Sequence, residues 1–306
     1  MTLADDVARQ LMVQPGQPAN LAVRDPAWLV APEFEAMATD DLKDVARQRL
    51  DQFVDELASA QELLWASDTN ALLVIFQALD AAGKDGTIKH VMSGVNPQGC
   101  QVYSFRQPSA EERDHTFLWR ASRALPERGR IGIFNRSYYE DVLVVRVHPE
   151  ILASQQMPAG TPTGEALWRQ RYEDINNFER HLDRNGTKVV KFFLNVSKDE
   201  QRRRFLSRVQ HTHKYWKFSA SDLAERAHWD EYQAAFEAAL TATSTDYAPW
   251  YVIPADHKHV MRTLVAGVLT RTINRLGLST PTVTPEQLVA VEKARAELLA
   301  EAESLR

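Results

Sequence analysis

Apolar positions change their period several times along the chain, and those changes divide it into elements. Between 41 and 64 they recur at helical spacing (Leu42, Val45, Leu50, Phe53, Val54, Leu57), which predicts an amphipathic helix. Next, Leu72-Leu73-Val74-Ile75-Phe76 is an unbroken apolar run, the pattern of a strand buried on both faces. Similar runs at 102–105, 131–134, 189–194 and 250–253 predict further strands, five in all. Helical stretches are expected between them at 83–92, 109–125, 168–182, 200–209 and 224–240, with another after the last strand at 260–276. The 109–125 stretch opens with Ser109, Glu111 and Glu112 in capping positions. Such alternation predicts a three-layer α/β fold around a mainly parallel five-stranded sheet, formed by one large domain over 31–280. Before it, Pro15, Gly16, Pro18, Pro26 and Pro32 make 1–30 read as an irregular extension or arm. After it, Leu288, Val291, Leu298 and Leu305 form a stripe, so 281–306 reads as a terminal packing helix.

Composition narrows the class without naming a function. A chain of 306 residues with 44% hydrophobic and 25% charged residues is neither disordered nor fibrous. A single cysteine, Cys100, leaves no internal disulfide and fits a reducing compartment. The first residues carry no basic region or long apolar run, and no run nears the ~20 residues of a membrane helix. The expectation is a cytoplasmic protein with no membrane partner. The 36 Lys and Arg against 41 Asp and Glu give a net charge of −5, which argues against a polyanionic partner.

Local chemistry points the other way. The first predicted strand runs into Gln77-Ala78-Leu79-Asp80-Ala81-Ala82-Gly83-Lys84-Asp85-Gly86-Thr87, followed by a helix. Strand, Gly-Lys turn and helix start form a phosphate cradle: backbone N–H groups and the helix dipole face the anion, and a lysine adds a compact charge. Ala82, Gly83, Lys84, Asp85 and Gly86 are the candidate phosphate-binding residues. Ala78 stands where the usual motif has its first glycine, and Asp85 where it has the Ser or Thr that meets Mg²⁺. Asp80 beside such a cradle is unfavourable without a metal ion or proton between, so it reads as a Mg²⁺ ligand or as a base orienting the attacking group.

These residues resemble the polyphosphate kinase 2 family. Its phosphate loop, G/A-x-D-x-x-G-K-D/E-G, is matched from Ala78 to Gly86, and its second signature by Phe134-Asn135-Arg136-Ser137-Tyr138-Tyr139-Glu140-Asp141. Phe105-Arg106-Gln107-Pro108-Ser109, Phe117-Leu118-Trp119-Arg120, Tyr215-Trp216-Lys217-Phe218 and 248–256 extend the match over about 30–276. The resemblance implies a P-loop kinase fold similar to thymidylate kinase, with a helical lid near 205–225. It implies phosphoryl transfer between inorganic polyphosphate and AMP, ADP or ATP, assisted by Mg²⁺ or in its place Mn²⁺, by a chain that forms a homo-oligomer. The Asn135-Arg136-Ser137 version looks like the subgroup that accepts both AMP and ADP; other subgroups carry Asp at that position.

On that footing Asp80, Lys84 and Arg136 are the expected catalytic residues, Arg136 standing opposite Lys84. Asn135, Arg136, Glu140 and Asp141 are the expected nucleotide contacts, and Asp80, Glu140 and Asp141 the expected metal shell. From Gln201 to Lys217 there are six positive charges and no negative one. Arg204, Arg208, Lys214 and Lys217 are expected to face polyphosphate from the lid, whereas Arg202 and Arg203 are expected to be solvated. His211 and His213 lack companions for a metal site, and Lys258 is left undecided. An enzyme restricted to ADP or GDP, an ATP-dependent nucleotide kinase and a non-catalytic polyphosphate-binding module are the alternatives. Nucleic acid is not an expected partner, because it needs a wider basic surface than one short track.

Overall fold

The computed structural model describes residues 5–30, 34 and 37–304, so Pro32 and Leu305 lie outside the described residues. Its elements are α1 (Asp5–Leu11), α2 (Thr39–Ser67), β1 (Ala71–Gln77), α3 (Lys84–Val91), β2 (Cys100–Ser104) and β3 (Ile131–Asn135). They continue through α4 (Glu165–Arg184), β4 (Thr187–Asn195), α5 (Lys198–Gln210), α6 (Ala220–Glu225) and α7 (Trp229–Thr243). Then come β5 (Trp250–Pro254), α8 (Lys258–Asn274) and α9 (Pro285–Ser304), with single helical turns in the loops.

The five strands form one sheet in the order β2-β3-β1-β4-β5, with every neighbouring pair parallel. β1 lies at its centre and all seven of its residues are buried, as its unbroken apolar run requires. Leu72, Val74 and Phe76 face a layer built on α2, α3 and α8, while Leu73 and Ile75 face α4 and α7. α2 and α8 run parallel in contact: the Thr263 hydroxyl donates to the Ala46 carbonyl at 2.8 Å and the Thr270 hydroxyl to the Phe53 carbonyl at 3.4 Å. Among the described residues no helix is long and apolar enough to cross a membrane.

Some elements depart from expectation. β2 is an edge strand with four of its five residues exposed, not a strand buried on both faces. The 109–125 helix is two single turns, Ala110–Arg113 and Trp119–Ser122; Ser109 and Glu112 close a capping box, and Asp114, His115 and Thr116 then interrupt the helix. The N-terminal extension carries one α-helix, α1, and is otherwise an arm with little regular secondary structure. α1 leads into Met12, which bridges antiparallel to Tyr251 and covers the β5 edge. The Arg24 guanidinium ties the arm together by donating to the carbonyls of Gln10, Leu11, Met12 and Ala19. The terminal helix forms as α9, but every described residue of it is exposed, so it packs on none of the described chain.

Beneath the sheet's α4–α7 face lies a buried ionic network. Lys191 of β4 donates to Glu179 of α4 at 2.5 Å, to the Tyr139 hydroxyl at 2.9 Å and to the Thr243 carbonyl at 2.7 Å. Tyr138 and Tyr139 donate to the other Glu179 oxygen at 2.8 and 2.9 Å. Both charged side chains are fully inaccessible. Burial pushes Lys191 down to about 8 against the attraction of Glu179, and burial raises Glu179. Removing one member strands the other, which outweighs any small net gain from the pair itself. We therefore expect Glu179→Ala to lose about 3–5 kcal/mol in chemical denaturation. The apolar double variant Glu179→Leu/Lys191→Met should recover most of that loss, and a cost below about 1 kcal/mol for the single change would refute the network's structural weight.

Candidate active site

Phosphate-loop geometry is set by what its carbonyls are tied to. Lys84 Nζ donates to the Ala78 carbonyl at 2.8 Å, and the Ala82 N–H donates to that of Leu79 at 3.3 Å. Gln201 of α5 donates to the Asp80 carbonyl at 2.9 Å. Arg204, also on α5, takes the carbonyls of Ala81 and Ala82 at 3.1 and 2.6 Å. Its other nitrogen donates to Ala255 and Asp256 beyond β5, at 2.6 and 3.2 Å. With the carbonyls held, α3 begins at Lys84, and the N–H groups of its first turn have no partner within the helix. That arrangement is an anion cradle. Ala81 (φ 62°) and Gly83 (φ 112°) both sit in the left-handed region that this tight path requires.

Across from the loop, Arg136 leaves the end of β3 at φ 64°, a strained value for a residue with a side chain. Its backbone N–H donates to the Phe76 carbonyl at 3.0 Å, which pins it beside β1. Its guanidinium donates to Asp80 at 2.8 Å and lies 3.8 Å from Glu140. Asn135 donates to Asp85 at 2.7 Å, a bond that an ionised Asp at 135 would be unable to make. Burial lowers the Lys84 pKa, with Asp80 opposing the shift. Burial raises that of Glu140, with Arg136 and Lys84 opposing. The site is a compact set of alternating charges at the carboxyl ends of β1 and β3, where open α/β sheets bind ligands.

A cleft of about 970 Å³ opens over this set. Asp80, Gly83, Lys84, Asp85, Gly86, Asn135 and Arg136 line it from the sheet side, and Arg204, Arg208, Lys214 and Lys217 from the helical side. Ala82 is fully buried beneath the loop. Glu140 lies behind Arg136. Asp141 does not join them: its carboxylate accepts from Gln155 at 3.0 Å, its carbonyl from Arg171 at 2.7 Å, and the residue is buried. Among the described residues no three His, Cys, Asp or Glu side chains form a metal-binding group, and of the expected shell the structure brings Asp80 and Glu140 together beside Arg136 while Gln155 holds the Asp141 carboxylate. The chemistry of Asp80 and Glu140 still suits Mg²⁺. Both offer hard oxygen donors beside Arg136, and Mg²⁺ is commonly held by one or two carboxylates together with substrate phosphates.

The basic stretch divides by role. Arg204 is 7% exposed: it lines the cleft, and its guanidinium braces the loop through the Ala81 and Ala82 carbonyls. Arg208 pairs with Asp222 of α6 at 3.0 Å, while Arg202 and Arg203 are exposed and pair with Asp199. Lys214 donates to the Ser207 hydroxyl at 2.9 Å, and Lys217 lies over the Trp216 ring at 4.9 Å. Asp222 and Gln201 were missed, as was Arg262 on the cleft wall. Asp222 lies five residues beyond the basic window, and nothing in a lone Gln or Arg announced the others.

A family profile described as Polyphosphate kinase 2 (PPK2) matches residues 40–277. The chain is 55% identical over 246 residues to the ADP-polyphosphate phosphotransferase of Rhodopseudomonas palustris, covering 80% of this chain and 85% of that protein. It is 46% identical over 239 residues to the AMP/ADP-polyphosphate phosphotransferase of Meiothermus ruber, covering 78% and 85%. The crystal structure of polyphosphate kinase 2 from Arthrobacter aurescens superposes with a TM-score of 0.81 at 38% identity, covering 94% of this chain and 96% of that one.

The bracing role of Arg204 separates shape from charge. Arg204→Lys keeps the charge but loses the planar fork that reaches two segments at once. We expect it to destabilise the protein by about 1–3 kcal/mol in chemical denaturation, the cost of orphaned buried carbonyls. An unchanged midpoint would show that the loop does not depend on the fork.

Proposed function

The chain belongs to the polyphosphate kinase 2 family, and we propose that it transfers the terminal phosphoryl group of inorganic polyphosphate to ADP and to AMP, and runs the reverse reaction. The observation that carries this reading is the opposition of Lys84 and Arg136 across one cleft, with Asp80 between them and a cradle of free N–H groups below. In the forward direction a phosphate oxygen of the acceptor nucleotide attacks the terminal phosphorus. The bond from that phosphorus to the rest of the chain breaks, and the donor leaves one phosphate shorter. The attacking oxygen is already anionic, so no strong base is required and the protein's work is positioning and charge neutralisation.

Each residue's part follows from its position. Lys84 and the α3 N–H groups hold the group in transit. Arg136 meets it from the β3 side, its strained backbone held by β1. Asp80 aligns Arg136 in the resting protein. With Mg²⁺ bound, Asp80 and then Glu140 are the residues to hold it, where it would neutralise phosphate oxygens. Asn135 steadies Asp85 at the first turn of α3. The lid residues Arg208, Lys214 and Lys217 face the same cleft and suit the extended polyanion.

Phosphorus NMR of AMP or ADP incubated with long-chain polyphosphate and Mg²⁺ tests the reading. ADP and ATP should appear as the chain shortens, and no transfer to either acceptor would refute it. Lys84→Ala should lower kcat by about 100-fold or more with a native fold, as expected when a charge on the transferring group is removed. Activity within about threefold of the unaltered protein would remove Lys84 from that role.

A further inference from the structure

Not all the cations around the cleft belong to the phosphate loop or the lid. Arg262, one turn into α8, lies against the first turn of α3: its guanidinium nitrogen is 3.4 Å from where a side chain on Gly86 would begin. Its Nε is buried without a hydrogen-bond partner, and among the described residues no carboxylate pairs with it. Lys258, one turn earlier and lining the same cleft, has no ion pair among them either. Arg203, Arg204 and Arg208 differ, each being paired with Asp199, Glu200 or Asp222.

The strip continues onto α2. The 2.8 Å bond from Thr263 to the Ala46 carbonyl sets Arg262 and Arg47 on adjoining parts of two parallel helices. Lys43 stands one turn before Arg47, on the same face. Burial lowers the Arg262 pKa, and Arg204 and Arg47 lower it further. His259 is likewise lowered by burial, then by Arg262, Arg47 and Lys43. Lys43 and Arg47 do pair with Asp40 and Asp44, at 2.7 and 3.7 Å, but both pairs are solvent-exposed. Exposed pairs of this kind are worth at most about 1 kcal/mol and yield readily to a polyanion.

We infer that the polyphosphate donor extends past the phosphate loop over a distal subsite formed by Lys258 and Arg262 of α8 and Lys43 and Arg47 of α2. The inference rests on polyphosphate being the donor. It assigns to these residues a preference for long chains, because Lys43 and Arg47 lie outside the lining of the cleft that holds Lys84, so that only a chain continuing past the cleft would meet them. An extended polyanion accounts for a line of cations, Lys258 and Arg262 on the cleft wall among them, that no carboxylate fully offsets.

Steady-state kinetics with long-chain polyphosphate and with tripolyphosphate test it. The unaltered protein must use both donors; failure there refutes the functional reading, not the subsite. Lys43→Ala/Arg47→Ala, two exposed changes that leave the core intact, should raise the KM for the long chain about fivefold or more relative to that for tripolyphosphate. The salt dependence of the long-chain KM should become shallower. Arg47→Lys should largely restore the preference, since the subsite reads charge. Arg262→Ala should raise the KM for the long chain as well. An unchanged ratio in the double variant, or an equal rise for both donors, overturns the proposal. So does a double variant that keeps its donor ratio but loses inhibition by single-stranded DNA, which would assign the strip to nucleic acid.

Discussion

The candidate site depends on where the carbonyls of the phosphate loop point. A backbone segment that turns its N–H groups toward one ligand must send its carbonyls elsewhere, and buried carbonyls need donors. Ala78, Asp80, Ala81 and Ala82 find theirs in side chains, from Lys84, Gln201 and Arg204. Two of those donors come from α5, which follows β4 in sequence but lies beside the loop in space. Because Arg204 also holds Ala255 and Asp256, the loops after β1 and β5 form one braced unit. The cradle's shape is thus a tertiary property of the sheet's carboxyl end, written only partly into the loop's own residues.

The opposing wall is anchored differently. Arg136 sits at the hinge between β3 and the Tyr138-Tyr139 turn, and both tyrosines are fixed through Glu179 to Lys191. Unlike the loop, which is braced by neutral carbonyls, this side rests on a buried ion pair whose members penalise any slippage that separates them. The strain at Arg136 is sustained by the β1 hydrogen bond on one side and that network on the other. Both walls therefore reach the cleft already in place. For a reaction that needs positioning more than covalent chemistry, that is the useful investment.

Much of this was legible in the sequence, for physical reasons. Strands buried on both faces leave unbroken apolar runs, so β1, β3, β4 and β5 stood out; β2, at an edge and mostly exposed, was read as buried because a run of that length carries no mark of its place in the sheet. The phosphate loop and the Asn135-Arg136-Ser137 turn were visible because local backbone geometry demands Gly83 and local chemistry demands Lys84 and Arg136. Pairings across the fold were not. Arg204 looked like a member of a basic face, yet its partners are carbonyls from two distant loops. Asp141 looked like a metal ligand beside Glu140, yet its turn directs it to Gln155 and Arg171. Proline content marked an arm but not its place on the β5 edge, because extended backbone that covers a sheet edge has no periodicity to detect.

Net charge shows most clearly why global and local readings diverge. A total of −5 describes an envelope, while the field in the cleft depends on which cations lack a carboxylate within reach. Arg136, Arg203, Arg204 and Arg208 are paired, whereas Lys84, Lys214, Lys217, Lys258 and Arg262 have no ion pair among the described residues. A full charge about 6 Å from a phosphate oxygen is worth about 3 kcal/mol at an effective dielectric near 20, against about 0–1 kcal/mol for an exposed pair. The unpaired cations therefore add to the attraction undiminished, while among the paired arginines Arg204 mainly holds shape and Arg136 and Arg208 keep their charges at the cleft. Acidic residues supply both halves of that design: as partners they order the arginines, and elsewhere they leave the cleft as the basic exception on an acidic surface.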